Sequence, residues 1–159
     1  MFNFLKRKNN KTEVFAPANG TLKPLCEVKD EVFSKGLVGK GFAIMPSDSM
    51  VYSPVEGEIA MIFPTKHAIG IKTKDGLEFI LHIGVDTVLL KGEGFEVLVK
   101  EQDAVKPGTP LLKVDYEYIK SQGLEQDVIC VVSNATNFDL IADNYKLIES
   151  ERRVAYCEI

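Results

Sequence analysis

"HAIGIKTKDGLEFILHIG", His67 to Gly84, holds both histidines of the chain and reads as two apolar segments on either side of Asp75-Gly76. An Asp-Gly pair between such segments is a strong short-range signal for a β-hairpin. A two-residue turn there pairs Lys74 with Leu77, sets Ile69 opposite His82, and sets His67 opposite Gly84. Side chains alternate between the faces of a strand. That register therefore sends His67, Ile69 and His82 to one face, with the histidine backbones about 7–8 Å apart on a diagonal. A four-residue turn over "TKDG" places the histidines directly opposite each other. A three-residue turn, or one bulge, places them on opposite faces.

The same pattern extends outward from the hairpin. "EVFAPANGTLKPL", "GFAIMPSDSMVYSPVEGEIAMIFP", "FEVLVK", "TPLLKVD" and "DVICVVSN" are short runs rich in Val, Ile, Phe and Tyr, punctuated by Asn-Gly, Glu-Gly and Pro-Gly. Many short strands predict an all-β fold, an antiparallel β-sandwich or barrel with short helical segments. Only "DYEYIKSQGLEQ" has a helical look, with Gly123 as its stop. "FAPANGTL" (Phe15–Leu22) and "YSPVEGEI" (Tyr52–Ile59) share the pattern aromatic-x-Pro-x-x-Gly-x-aliphatic, which suggests a pseudo-repeated β-unit. Residues 1–12 read as a flexible basic and apolar tail, and residues 13–159 as a single domain of a length that buries one sizeable core.

The apolar share is 45% and the net charge −4, with no basic stripe, so nucleic acid is not an expected partner. Cys26, Cys130 and Cys157 form no CxxC pair, which argues against a disulfide framework or a thiolate zinc site and fits a reducing cytoplasm. "MFNFLKRK" is too short in apolar residues for a signal or a span. Its Phe2, Phe4 and Leu5 beside Lys6, Arg7 and Lys8 suit either an acidic membrane surface, contacted through residues 1–8, or a solvated chain end.

Three chemistries are open to two neighbouring imidazoles. Two histidines alone make half a zinc site, so a metal needs a ligand from a partner. They also suit a satisfied core. Lastly, a neutral imidazole nitrogen is a nucleophile near pH 7, and a second imidazole stabilises charge on a transferring group. Thr65, two residues before His67, is placed to orient that ring, and Gly84 follows His82 by two.

"FPTKHAIGI" together with "ILHIGVDTVLLKGEGFEVLVKEQDAVKPGTPLLKVD" resembles the glucose-type enzyme IIA domain of the bacterial sugar phosphotransferase system, from about Val14 to Asn134. The resemblance implies an antiparallel sandwich with both histidines in a shallow depression. It implies a phosphoryl carrier that takes phosphate from the histidine phosphocarrier protein HPr and passes it to a cysteine on the IIB domain of a sugar permease. By position, His82 is then the phosphorylated residue, reacting through Nε2, while the Gly84 carbonyl holds its Nδ1–H. His67 stabilises the phosphoryl oxygens and Thr65 orients His67. The family's hydrophobic rim falls on Phe42, Ile44, Phe63 and Val88, and Asp86 faces the phosphocarrier's arginines. Lys40, in "GKGFAIMP", stands where the family carries an acid, a departure that suits either a weakened docking contact or a pairing with phosphate. No cofactor beyond a transient phosphohistidine is implied, and a monomer is expected. Regulation of other proteins through the phosphorylation state is a further implication.

Two rival classes fit less well. A biotinyl or lipoyl carrier needs a hairpin-tip lysine, and the one here, Lys74, lacks the Met-Lys-Met or Asp-Lys-Ala setting. A zinc peptidase of related architecture needs more histidines than the chain has. A purely regulatory binding module remains compatible with the composition.

Overall fold

The computed structural model describes residues 11–150 and 152–159. The basic and apolar segment 1–8, and with it the expected membrane contact, lies outside them. Among the described residues fourteen strands form three sheets, each pair antiparallel: β1 (Thr12–Phe15), β14 (Arg153–Glu158) and β12 (Asn137–Leu140) in one; β4 (Met50–Tyr52), β10 (Pro110–Val114) and β8 (Phe95–Val97) in a second. The third has eight strands, in the order β13 (Leu147–Ile148), β2 (Gly20–Pro24), β3 (Lys40–Pro46), β11 (Val128–Val132), β7 (Glu78–Ile83), β6 (Ala68–Lys72), β5 (Gly57–Ile62) and β9 (Ala104–Val105). The architecture is an antiparallel sandwich; the large sheet stays open between β13 and β9 rather than closing into a barrel.

Alternation explains how the large sheet serves two purposes. Phe42 and Ile44 of β3, Leu81 and Ile83 of β7, and Val128 and Cys130 of β11 point inward to the main core, which runs from Val14 to Cys157. Ala43, Ile129 and Val131 point outward into a second, smaller apolar cluster. Strand β11, "VICVV", is buried along its whole length. That is why it reads as an unbroken apolar run rather than an alternating one. Its outward face is covered by α1 (Glu31–Ser34) and the turn before it, through Val28 and Phe33. Asp30 caps α1 by accepting from Val32 N at 2.9 Å. "VKDEVFSKG" carries no helical period for this one-turn helix, because four residues are too few to show one. The anticipated helix does form as α2 (Tyr116–Ser121), capped by Asp115 and ended near Gly123 with φ +76°.

The two aromatic-Pro-Gly copies meet each other. Phe15 N donates to Pro54 O at 2.8 Å and Tyr52 N to Pro17 O at 2.7 Å, a reciprocal pair. Gly20 and Gly57 open the strands that follow, and a Cβ on either would lie within 2.4 Å of a carbonyl oxygen across the sheet.

Candidate active site

His82 points outward near the end of β7, one residue before the chain leaves the strand. At Gly84 the backbone turns left-handed, φ +78°, and a Cβ there would sit 2.4 Å from Thr87 Cγ2 and 2.7 Å from Glu125 O. Only glycine fits this turn. The Gly84 amide donates to Asp127 O at 2.7 Å, and the Thr87 hydroxyl donates to Ile83 O. With its peptide held in this way, the Gly84 carbonyl lies 2.9 Å from His82 Nδ1. A carbonyl only accepts, so Nδ1 carries the proton and the neutral ring keeps its lone pair on Nε2. Burial lowers the pKa of His82 to about 4, and His67 adds to the effect; the Gly84 carbonyl, Asp30 and Asp86 act in the other direction. At neutral pH the ring is therefore an uncharged base.

His67 reaches the same place by another route than the hairpin register predicts. The turn has three residues, Lys74 to Gly76, with Gly76 left-handed at φ +92° and Thr73 N donating to Leu77 O at 2.9 Å. The favoured three-residue loop ends in such a residue. Ala68, rather than Ile69 or His67, consequently lies opposite His82. Strict alternation would then send His67 to the far face, yet the two rings lie with centroids 4.9 Å apart and planes at 82°. The resolution is that His67 precedes β6 and follows a turn in which Lys66 is left-handed, φ +60°. Alternation governs residues within a strand and places no constraint on one just outside it. His67 is 5% exposed, and burial lowers its pKa, with a hydrogen bond to the Thr65 main chain opposing. Thr65 Oγ1 lies 2.7 Å from His67 Nδ1. When the hydroxyl donates, Nδ1 is the acceptor and the ring's proton sits on Nε2.

The walls differ in part from those expected. Phe63 packs edge-on to His67 at 5.6 Å, Val88 is 47% exposed on the turn after Gly84, and Asp86 is exposed beside it with φ +61°. Phe42 and Ile44 are not on the rim: both are fully buried and face the main core. Residue 43 is the one opposite Ile129, which is opposite His82, and the outward face of β3 is therefore odd-numbered. Lys40 is also elsewhere. It stands opposite Val132, three residues or about 10 Å along the strand from Ala43, and its ammonium donates to Thr136 O at 2.9 Å. The aromatic wall against His82 is instead Phe33, with ring centroids 4.8 Å apart. The acid on that side is Asp30, which with Asp86 favours the charged form of His82. Val32 and Leu37, 49% and 72% exposed, lie together beside Phe33, with Leu37 N donating to Val32 O at 3.1 Å. The sequence signal for these four is an N-cap type, Asp30, followed by the apolar residues of "KDEVFSKGLV".

The described residues contain no group of three or more His, Cys, Asp or Glu side chains placed to hold a metal ion. A metal on the two imidazoles would take its remaining ligands from outside those residues.

Fold and site together define a β-sandwich that presents a tautomer-locked histidine against a second histidine in an apolar depression. A family model described as "phosphoenolpyruvate-dependent sugar phosphotransferase system, EIIA 1" matches residues 12–138, and the chain belongs to that family. It is 48% identical over 129 residues to the glucose-specific EIIA component of Halalkalibacterium halodurans, covering 81% of this chain and 73% of that protein. It is 38% identical over 156 residues to the glucose-specific EIIA component of Staphylococcus epidermidis, covering 97% and 94%. The glucoside-specific EIICBA component of Staphylococcus carnosus is 48% identical over 122 residues, 77% of this chain but 18% of that longer protein. Among solved structures, glucose permease IIA from Mycoplasma capricolum superposes with a TM-score of 0.86 at 38% identity, covering 94% of this chain and 97% of its own. The chain is a glucose-type EIIA phosphotransferase component of the sugar phosphotransferase system.

Proposed function

We propose that His82 accepts a phosphoryl group from the phosphohistidine of HPr and passes it to the IIB cysteine of a glucose-type permease. Nε2 attacks phosphorus as the donor's N–P bond breaks, and Nδ1–H stays with Gly84. In the second step a cysteine thiolate attacks phosphorus, the Nε2–P bond breaks, and His82 returns to its neutral form. His67, its Nδ1 occupied by the Thr65 hydroxyl, directs Nε2–H at the phosphoryl oxygens as charge grows on them. The observation that carries this is the 2.9 Å contact of His82 Nδ1 with the Gly84 carbonyl, because it leaves Nε2 the one free nucleophilic atom of the ring.

Docking follows from the same surface. Phe33, Val32, Leu37, Phe63 and Val88 offer a shallow apolar ring that excludes water from a labile phosphoimidazole, while Asp30 and Asp86 attract cationic side chains of the phosphocarrier. The EIICBA relative is described as joining its A component to B and C components in one chain, which supports a IIB domain as the acceptor. We place the protein in the cytoplasm, where that exchange occurs; no helix of the described residues is long and apolar enough to cross a membrane.

The test is labelling from phosphoenolpyruvate through the general phosphocarrier proteins. One acid-labile, base-stable phosphate per chain is expected, and His82→Ala should abolish it. His67→Gln should still accept phosphate but hand it on about 100-fold or more slowly, since it keeps the nucleophile and loses a charge-stabilising donor. Labelling that survives His82→Ala would overturn the assignment.

A further inference from the structure

One ion pair differs from the rest. Lys23 Nζ and Asp127 Oδ2 lie 2.9 Å apart with side chains 19% and 1% exposed, whereas both members of every other pair among the described residues are at least 40% exposed. The second oxygen, Asp127 Oδ1, is buried with no hydrogen-bond partner among the described residues. Desolvating such a pair commonly costs as much as its attraction returns, and apolar residues of similar volume hold a sheet at least as well. Packing alone gives no reason for it.

Its position does. Lys23, Ala43, Ile129 and His82 stand opposite one another across four neighbouring strands, in one row on the outward face. Asp127 O accepts from Gly84 N, so Asp127 sits opposite Gly84 and diagonal to His82, with backbones about 7–8 Å apart. The Lys23 backbone is three strands from His82, about 14 Å. Its side chain crosses β3 beside the small Ala43 to reach the carboxylate. The carboxylate therefore stands between the ammonium and β7, and the pair turns its negative end toward the site.

We propose that Lys23 and Asp127 are a charge-balancing pair that sets how readily His82 gives up its phosphoryl group; this rests on the phosphocarrier role proposed above. Accepting that group brings a charge of about −1.5 to −2 onto the His82 side of the face. A carrier must release the group as easily as it takes it. An unbalanced ammonium on the far side of the carboxylate would hold the phosphoryl group too tightly, and an unbalanced anion one strand away would resist its arrival. With the two joined, the field at Nε2 is small and slightly repulsive.

The experiment is the equilibrium of phosphoryl exchange between phosphorylated HPr and the full chain, read by phosphorus NMR, with thermal unfolding of every variant alongside. Asp127→Asn, which leaves Lys23 unbalanced, should move the partition toward phosphorylated His82 by about threefold to tenfold. Lys23→Met should move it by a similar factor in the opposite direction. The double variant Lys23→Met with Asp127→Leu should lie within about twofold of the native chain, on the side of tighter retention. Opposite signs in the two single variants are what a merely structural pair would not produce. If Lys23→Met does not fold, Asp127→Asn should still shift the partition beyond the twofold margin of the double variant, and equal shifts in the two overturn the inference. Single variants that shift the partition in one common direction, or leave it unmoved while His82 is still labelled, overturn the inference. A native chain that takes no phosphate on His82 overturns the carrier role as well.

Discussion

The two faces of the large sheet are built from the same strands and do opposite work. Facing inward, Phe42, Ile44, Leu81, Ile83 and Val128 interlock with no exposure at all. Facing outward, the row that carries His82 is made of Ala68, Ile129 and Ala43. Ala68 beside His82, and Ala43 beyond Ile129, leave space above the sheet, and α1 roofs only one side of it through Phe33. The depression is thus a consequence of side-chain size on one parity of residue number, while rigidity comes from the other parity. Group transfer needs both, since imidazoles held only by loops would not keep a fixed separation.

That contrast can be broken from either side. The largest effect on stability is expected inward: Phe42→Ala should cost about 3–5 kcal/mol in denaturant unfolding, while protein that remains folded keeps its phosphotransfer rate. Gly84→Ala comes next. It forces a Cβ against Thr87 and Glu125 O and strains a left-handed backbone, so we expect a loss of about 2–4 kcal/mol, with transfer falling as the carbonyl leaves Nδ1. Phe33→Ala, outward, should cost about 1–3 kcal/mol, less than Phe42→Ala, yet slow transfer and speed hydrolysis of the phosphorylated form. Smallest on stability is Thr65→Val, at about 1 kcal/mol or less, read as a slower second transfer step resembling a mild His67→Gln.

Acid should sharpen the same contrast. His82 is lowered from 6.5 to about 4 in the folded chain by burial first, then by His67. Between those two values the unfolded chain binds the proton and the folded chain does not. The contribution of His82 to stability is therefore fully present above pH 6.5 and is lost as pH falls toward about 4. His82 in the folded chain stays neutral over the same range. Phosphate acceptance should accordingly hold nearly level from pH 8 to about 5, where an exposed histidine would already have lost most of its free base. A fall centred near pH 6.5 would show that the depression does not desolvate the ring.

Much of this was legible residue by residue. Short β-branched runs between Asn-Gly, Asp-Gly and Pro-Gly marked the strands, because turn residues act locally and do not wait for tertiary context. The pair His67 and His82, with Thr65 and Gly84 as their companions, could be named from the chain alone. Phe42 and Ile44, expected on the rim by resemblance, belong to the core because likeness to a family does not encode which parity of β3 faces outward. The pairing of β3 with β11, and of β11 with β7, answers that question and assigns Ala43.

Local chemistry, then, determined the strands, the turns and the histidine pair with its companions Thr65 and Gly84. Only the folded chain decided that the imidazoles meet, since the hairpin register by itself would have parted them and the left-handed turn at Lys66 brings them together. It also decided that Phe33 and Asp30, from a helix of one turn, and Lys23 and Asp127, more than one hundred residues apart, share a face with His82. Pairings between strands distant in the chain are set by the total burial they achieve, and no local pattern encodes that sum.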